Sequence, residues 1–248
     1  MMVTASPIAA IAAPATMAVV CRRDPSSMSE EGSDAGEVAR IRLSRAAGSV
    51  GPMRVAVLAS GSGTLLDEML GAELGVVVTI VDRPCRAEEV SARHGVPCEL
   101  VERTDFGAGF DRDAYTSAVT DVLRRHRIDL VVMAGFGTVL GAAVHAAFPN
   151  RILNTHPALL PSFPGLHGAR QALEHGVKVA GCTVHFVDEG TDTGPIIAQA
   201  AVPVLDSDDE AALQRRIQEH EHRLLPEVVK RIATGQLRVE GRRVLGGP

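Results

Sequence analysis

The chain has 248 residues, 46% of them apolar and only 3% aromatic, so its core must be built from Val, Leu, Ile and Ala in one large domain or two small ones. A formal net charge of −5 gives no electrostatic footprint for wrapping a polyanion. That sets nucleic acid aside as a main partner and leaves small anions open, since these need only a local positive site.

Cys21, Cys85, Cys98 and Cys182 make no C-x-x-C pair, which argues against a structural zinc site and against a disulfide framework. The Ala-rich start carries Arg22-Arg23 after its apolar run rather than before it, the wrong order for a secretory signal. A cytoplasmic protein with no membrane partner is expected. Residues 22–52 are rich in Ser, Glu, Gly, Ala and Arg without sustained periodicity, and residues 1–52 read as a disordered N-terminal extension. Met53, immediately before the first strand, is a candidate start of translation.

From there strands and helices alternate. Residues 54–59 predict a strand, 64–70 a helix, 75–81 a strand, 85–94 a helix, 98–101 a strand, 111–127 an amphipathic helix and 128–134 a strand. A helix at 142–148, a short strand at 151–153, a helix at 169–175, strands at 180–187 and 196–204, a charged helix from Asp208 and a strand at 237–239 follow. Continuous apolar strands separated by helices signal a parallel sheet covered on both faces. The fold class is α/β: a single Rossmann-like, doubly wound domain over 53–248 with a mostly parallel central sheet.

Three segments carry chemistry. Ala59-Ser60-Gly61-Ser62-Gly63-Thr64 is a glycine-rich turn between a strand and a helix, where backbone N–H groups and the helix dipole can hold a phosphate. No Gly-Lys-Ser/Thr follows, so it is not a Walker loop, and Leu66 stands where a dinucleotide fingerprint has its third glycine. Asp82 lies at about the spacing of a ribose-binding acid, which keeps a nicotinamide-nucleotide-binding protein open. A plain tight turn with Thr64 capping the helix is the structural alternative.

Asn154-Thr155-His156-Pro157 follows a short strand, where a loop at the carboxyl edge of a parallel sheet opens into a crevice. Residues two apart in extended chain point the same way, so Asn154 and His156 place an amide donor beside a proton carrier, as acyl transfer to an amine requires. A histidine held in the turn before Pro157 is the alternative. The third segment, from Asp188 to Pro195, bears three carboxylates, and one of them brought to His156 favours the imidazolium; a solvated acidic loop would look the same.

These segments, with Ala134-Gly135-Phe136, Leu159-Leu160-Pro161, Phe163-Pro164-Gly165 and Asp192-x-Gly194-Pro195 in the same order and spacing, make the chain similar over roughly 53–240 to the phosphoribosylglycinamide formyltransferases, folate-dependent enzymes of purine synthesis and one-carbon metabolism. The resemblance implies direct transfer of a formyl group from 10-formyltetrahydrofolate to the amine of glycinamide ribonucleotide, without a metal, by a monomer or homodimer. It casts His156 as general acid, Asn154 as oxyanion donor and Asp192 as the carboxylate that keeps His156 protonated. Gly63, Thr64 and Leu65 would bind the ribotide phosphate, and Gln218, Glu219, His220 and Glu221 would face the acceptor, with Glu221 reaching its amine. Arg112, Gly137, Thr138, Val139, Leu140, Asn154, Asp188, Glu189, Gly190, Thr191 and Asp192 would line the folate pocket. The phosphate-binding half would then run over about 53–150 and the catalytic and folate-binding half over about 151–248.

One departure stands out: where the family commonly has Met and a basic residue after Ala-Gly-Phe, this chain has Gly137 and Thr138. Formyl-folate hydrolases share this catalytic domain but carry an N-terminal regulatory domain, for which residues 1–52 lack alternating strands and length. Methionyl-tRNA formyltransferases add a basic carboxyl-terminal domain, for which the residues after Val204 do not suffice. His220-Glu221-His222 is a poor metal motif, because helix residues two apart face different directions.

Overall fold

The structure is a computed structural model, and it describes residues 40–42 and 51–248. In chain order these form β1 (Arg40–Arg42), β2 (Val55–Ala59), α1 (Thr64–Gly71), β3 (Val76–Val81), α2 (Arg86–Arg93), β4 (Cys98–Leu100), α3 (Arg112–Arg125) and β5 (Leu130–Met133). They continue as α4 (Ala142–Ala147), β6 (Ile152–His156), α5 (Gly168–Glu174), β7 (Val179–Phe186), β8 (Ile196–Pro203), α6 (Glu210–Ala233), β9 (Arg238–Glu240) and β10 (Arg243–Leu245).

Seven strands make one sheet in the order β4-β3-β2-β5-β6-β7-β8. Pairing is parallel from β4 to β6, and β7 and β8 join antiparallel. The alternation of side chains along β2 explains why such strands read as unbroken apolar runs. Val55, Val57 and Ala59 enter the layer under α1, α2 and α6, whereas Ala56 and Leu58 enter the layer under α3 and α4. The expected α/β, doubly wound, mostly parallel architecture is what the chain adopts. Because β3 and β4 extend the sheet to one side of β2 while β5 lies on the other, the winding reverses between β2 and β5. A crevice for ligands forms outside the carboxyl ends of strands at such a reversal.

Two sequence expectations change. The strand predicted to stop at residue 153 runs on to His156, because Asn154, Thr155 and His156 pair with His185, Val184 and Thr183 of β7. A polar strand end carries no apolar signal, so only the partner strand reveals it. Arg40–Arg42, inside the stretch expected to be disordered, pair antiparallel with β9, which also pairs with β10. Three residues are too few for a periodic pattern, and β9 supplies the register. The expectation for residues 1–39 and 43–50 lies outside the described residues, as does that for Cys21. Cys85, Cys98 and Cys182 are free thiols. Burial pushes Cys98 up to about 11 and Cys182 up to about 12, so both stay protonated at neutral pH. Among the described residues no helix is long and apolar enough to cross a membrane.

Candidate active site

At the carboxyl end of β2 the chain turns through Ser60–Gly63 into α1. Gly63 has φ +70°, and a Cβ there would lie 3.0 Å from the Ala87 Cα and 3.1 Å from a Val90 methyl. Backbone conformation and the close approach of α2 both demand glycine. Asp111 and Asp209 cap α3 and α6 by accepting from Ala114 N and Ala212 N, but no side chain caps α1. Thr64 is the exposed first helical residue rather than the cap, and the Leu65 side chain is buried. The first-turn N–H groups, which no intrahelical carbonyl can satisfy, thus sit at the positive end of the helix dipole beside a glycine turn.

Two strands away, β6 carries Asn154 and His156 on one face. His156 is 4% exposed. Its Nε2 lies 2.7 Å from the Phe163 carbonyl oxygen and its Nδ1 3.3 Å from Asp192 Oδ2. Both partners are acceptors, so the arrangement fits a ring that donates from each nitrogen. Asp192 Oδ2 also accepts from the Gly165 N–H at 2.8 Å. Its Oδ1 faces Asn154 Nδ2 and His185 Nε2, each at 3.5 Å. Burial pushes the Asp192 carboxyl up, but the His185 contact, the Gly165 N–H and the charges of the two histidines outweigh it and hold the group below its ordinary range. Asp192 is therefore a half-buried, ionised carboxylate, held at φ +54°, a conformation that Asp tolerates better than most residues.

The loop between β6 and α5 is pinned by the buried Thr183, whose hydroxyl donates to the Ala158 carbonyl at 2.7 Å and accepts from Leu160 N and Gln199 Nε2, both at 3.0 Å. That fixes the path that brings the Phe163 carbonyl to His156. On the other side Asp188 accepts from Gly190 N and the Thr193 hydroxyl, closing the turn that presents Asp192, and Arg242 donates to the Thr193 carbonyl at 2.8 Å. A cavity of about 250 Å³ opens beside Asp192, between Leu160, Pro161 and Pro164 and the 191–194 turn.

Residues 53–229 match the formyl transferase family. Over 196 residues the chain is 51% identical to the phosphoribosylglycinamide formyltransferase of Mycobacterium tuberculosis, covering 77% of this chain and 90% of that protein. The chain belongs to the phosphoribosylglycinamide formyltransferases. Glycinamide ribonucleotide transformylase 1 from Symbiobacterium toebii matches it with a TM-score of 0.73 at 48% identity, covering 78% of this chain and 93% of that one. A formyltetrahydrofolate deformylase from Pseudomonas syringae pv. tomato reaches the same TM-score at 24% identity, over 80% of this chain and 67% of its own, a likeness of fold alone.

In this formyltransferase the remaining expected residues fall into three groups. Glu189, Gly190 and Thr191 are exposed on the turn that Asp188 closes, and Arg112 is exposed at the start of α3, with its Cγ 3.7 Å from the place a Cβ on Gly141 would take. In the loop after β5, Gly137 and Val139 are exposed while Thr138 and Leu140 are buried, so the Thr138 side chain points beneath the loop, to Asp82 Oδ2 at 2.8 Å. On α6 the four successive residues do not share a face: Glu221 is buried, Gln218 and His220 are half-buried and Glu219 is exposed. Glu221 Oε1 accepts from the Thr155 hydroxyl at 2.9 Å, on the opposite face of β6 from Asn154 and His156. Burial pushes its carboxyl above the ordinary range, and the Thr155 bond offsets this only in part.

Sequence reasoning missed His185. It stands opposite Asn154 in the strand register, 1% exposed, with Nδ1 donating to the Phe186 carbonyl at 2.8 Å. The signal available was a single histidine in a strand whose other residues are apolar apart from Thr183. Asp82, which kept a nicotinamide enzyme open, is fully buried and already accepts from Arg83 Nε and Nη2 at 2.9 and 3.0 Å and from Thr138.

Proposed function

We propose that this chain transfers the formyl group of 10-formyltetrahydrofolate directly to the amine of N1-(5-phospho-D-ribosyl)glycinamide, giving the N2-formyl ribotide and tetrahydrofolate in purine biosynthesis, in the cytoplasm and without nucleic acid or membrane partners. The observation that carries the reading is the ionised Asp192 facing His156 Nδ1, with the Asn154 amide alongside. The acceptor amine attacks the formyl carbon, and the carbonyl π pair moves onto oxygen. Asn154 Nδ2–H and the His156 imidazolium supply hydrogen bonds to that oxyanion. Collapse of the tetrahedral carbon breaks its bond to N10, which takes up a proton as the attacking nitrogen loses one. Asp192 stabilises the cationic ring throughout. His156 Nε2 is engaged by the Phe163 carbonyl, so donation to the oxyanion exchanges that acceptor for the substrate oxygen.

The uncapped start of α1 is where the ribotide phosphate binds, through the backbone of Gly63, Thr64 and Leu65. Glu221 accepts a hydrogen bond from the acceptor amine, which reacts as its free base. The folate lies along the 137–140 loop, Arg112 and the 188–192 turn. Hydrolysis of the formyl folate is the second reading, and it rests on likeness of fold at 24% identity alone. Absorbance of the deformylated carrier, followed with and without glycinamide ribonucleotide, separates the two. Release that depends on the ribonucleotide is expected; release in its absence makes the chain a hydrolase, and no release in either trace overturns the folate assignment.

A further inference from the structure

We infer that Ser60 and the Asp82–Thr138 pair are positioning groups that tie the glycine turn to the loop at residues 135–140, coupling the ribotide and folate sites. This rests on the functional reading above for the identity of the two ligands, and on geometry for the link itself. Asp82 follows β3 directly and is 0% exposed. Its carboxylate accepts from Arg83 Nε and Nη2 and from the Thr138 hydroxyl at 2.8 Å. Ser60 opens the glycine turn, and its Oγ in turn accepts from the Gly137 N–H at 3.1 Å, while its own N–H donates to the Gly135 carbonyl. Thr138 Oγ1 also accepts from Arg103 Nη1 at 3.3 Å.

The network is closed from outside by stacked rings. The Arg83 and Arg103 guanidiniums each lie 4.6 Å from the Phe106 ring centre, and Arg103 lies 4.1 Å from that of Phe110. Thr138 turns inward and makes the carboxylate an anchor for the loop. Because Ser60 bonds to the loop backbone at Gly135 and Gly137 and Asp82 holds the next residue, Thr138, from beneath, a displacement of the turn by a bound phosphate is felt at the folate loop, and the effect is reciprocal. Asp82 touches neither reacting group, so it acts on the loop only through Thr138.

Thr138→Val removes the hydroxyl at nearly constant volume, Thr138→Ser keeps it, and Ser60→Ala cuts the other arm. The expected result for Thr138→Val and Ser60→Ala is a KM for both substrates raised by about tenfold, as for loss of a hydrogen bond, with kcat changed far less, and recovery in Thr138→Ser. Hydrogen exchange of the Gly137 amide should quicken by a similar factor in Thr138→Val. Both KM values within about twofold of wild type in Thr138→Val and Ser60→Ala would overturn the inference. If the wild type shows no ribonucleotide-dependent turnover, the functional reading falls by itself; the exchange measurement then decides the link, and unchanged protection of Gly137 in Thr138→Val sinks it.

Discussion

Replacing Asp192 with Asn leaves its volume almost unchanged and inverts the chemistry of one atom. The carboxylate accepts on two sides: Oδ2 faces Gly165 N at 2.8 Å and His156 Nδ1 at 3.3 Å, while Oδ1 faces Asn154 Nδ2 and His185 Nε2 at 3.5 Å. An amide offers an acceptor on one side only. With its oxygen toward Gly165 the new NH2 meets the Asn154 NH2; turned over, it meets the Gly165 N–H and His156. Either orientation sets donor against donor, and the negative charge facing His156 Nδ1 is gone. At an effective dielectric of ~20, unit charges separated by the 3.3 Å seen here attract by about 5 kcal/mol, an upper bound before desolvation is counted. We expect kcat to fall by about 10²–10³, equivalent to about 2.7–4 kcal/mol of transition-state stabilisation. Folding stability at neutral pH should fall by about 1–3 kcal/mol. The stability loss has a pH signature. Asp192 titrates below its ordinary 3.8 in the folded protein, so its charge stabilises the fold above pH 3.8, and that contribution is lost as pH falls through the lowered value. Urea unfolding of both proteins should therefore show their stabilities converging on the acid side of that window. A kcat within about threefold of wild type, or a stability gap independent of pH, would refute the reasoning.

His156→Ala should lower kcat by on the order of 10²-fold or more while the far-ultraviolet circular dichroism stays native; near-normal turnover in saturating substrate removes His156 from the chemistry. Gly63→Ala forces a Cβ to within 3.0 Å of the Ala87 Cα at φ +70°. It should cost about 1–3 kcal/mol of stability and raise the ribotide KM, and an unaltered melting temperature speaks against a required glycine. Glu221→Gln retains an acceptor for Thr155 but removes an acid whose folded pKa is raised above its ordinary 4.5. Such a group weakens the fold as pH rises past 4.5, so the variant's stability relative to wild type should improve with rising pH while its KM for the ribotide increases; a pH-independent difference contradicts the buried carboxyl.

How much could be read in advance divides along a physical line. Apolar runs such as Val55–Ala59, the glycine turn that must accommodate φ +70° at Gly63 and the two-residue spacing of Asn154 and His156 are written in neighbouring residues, because backbone sterics and side-chain alternation act locally. They were enough for a doubly wound sheet and for a family resemblance whose motifs lie in order along the chain. What they could not supply is partnership across long stretches of sequence. The extension of β6 to His156 and the placing of His185 opposite Asn154 come from antiparallel pairing with β7. The pairing of Arg40–Arg42 comes from β9. Asp82 read as a possible ribose ligand by its spacing, yet Thr138 and Arg83 engage it inside the protein. Composition and spacing therefore determined which residue types were on hand and the layers they fold into. Only the tertiary structure decided which donor each buried carboxylate received, because a charge removed from water takes its partner from whatever side chains the packed sheet brings within about 3 Å, however far apart they lie in the chain.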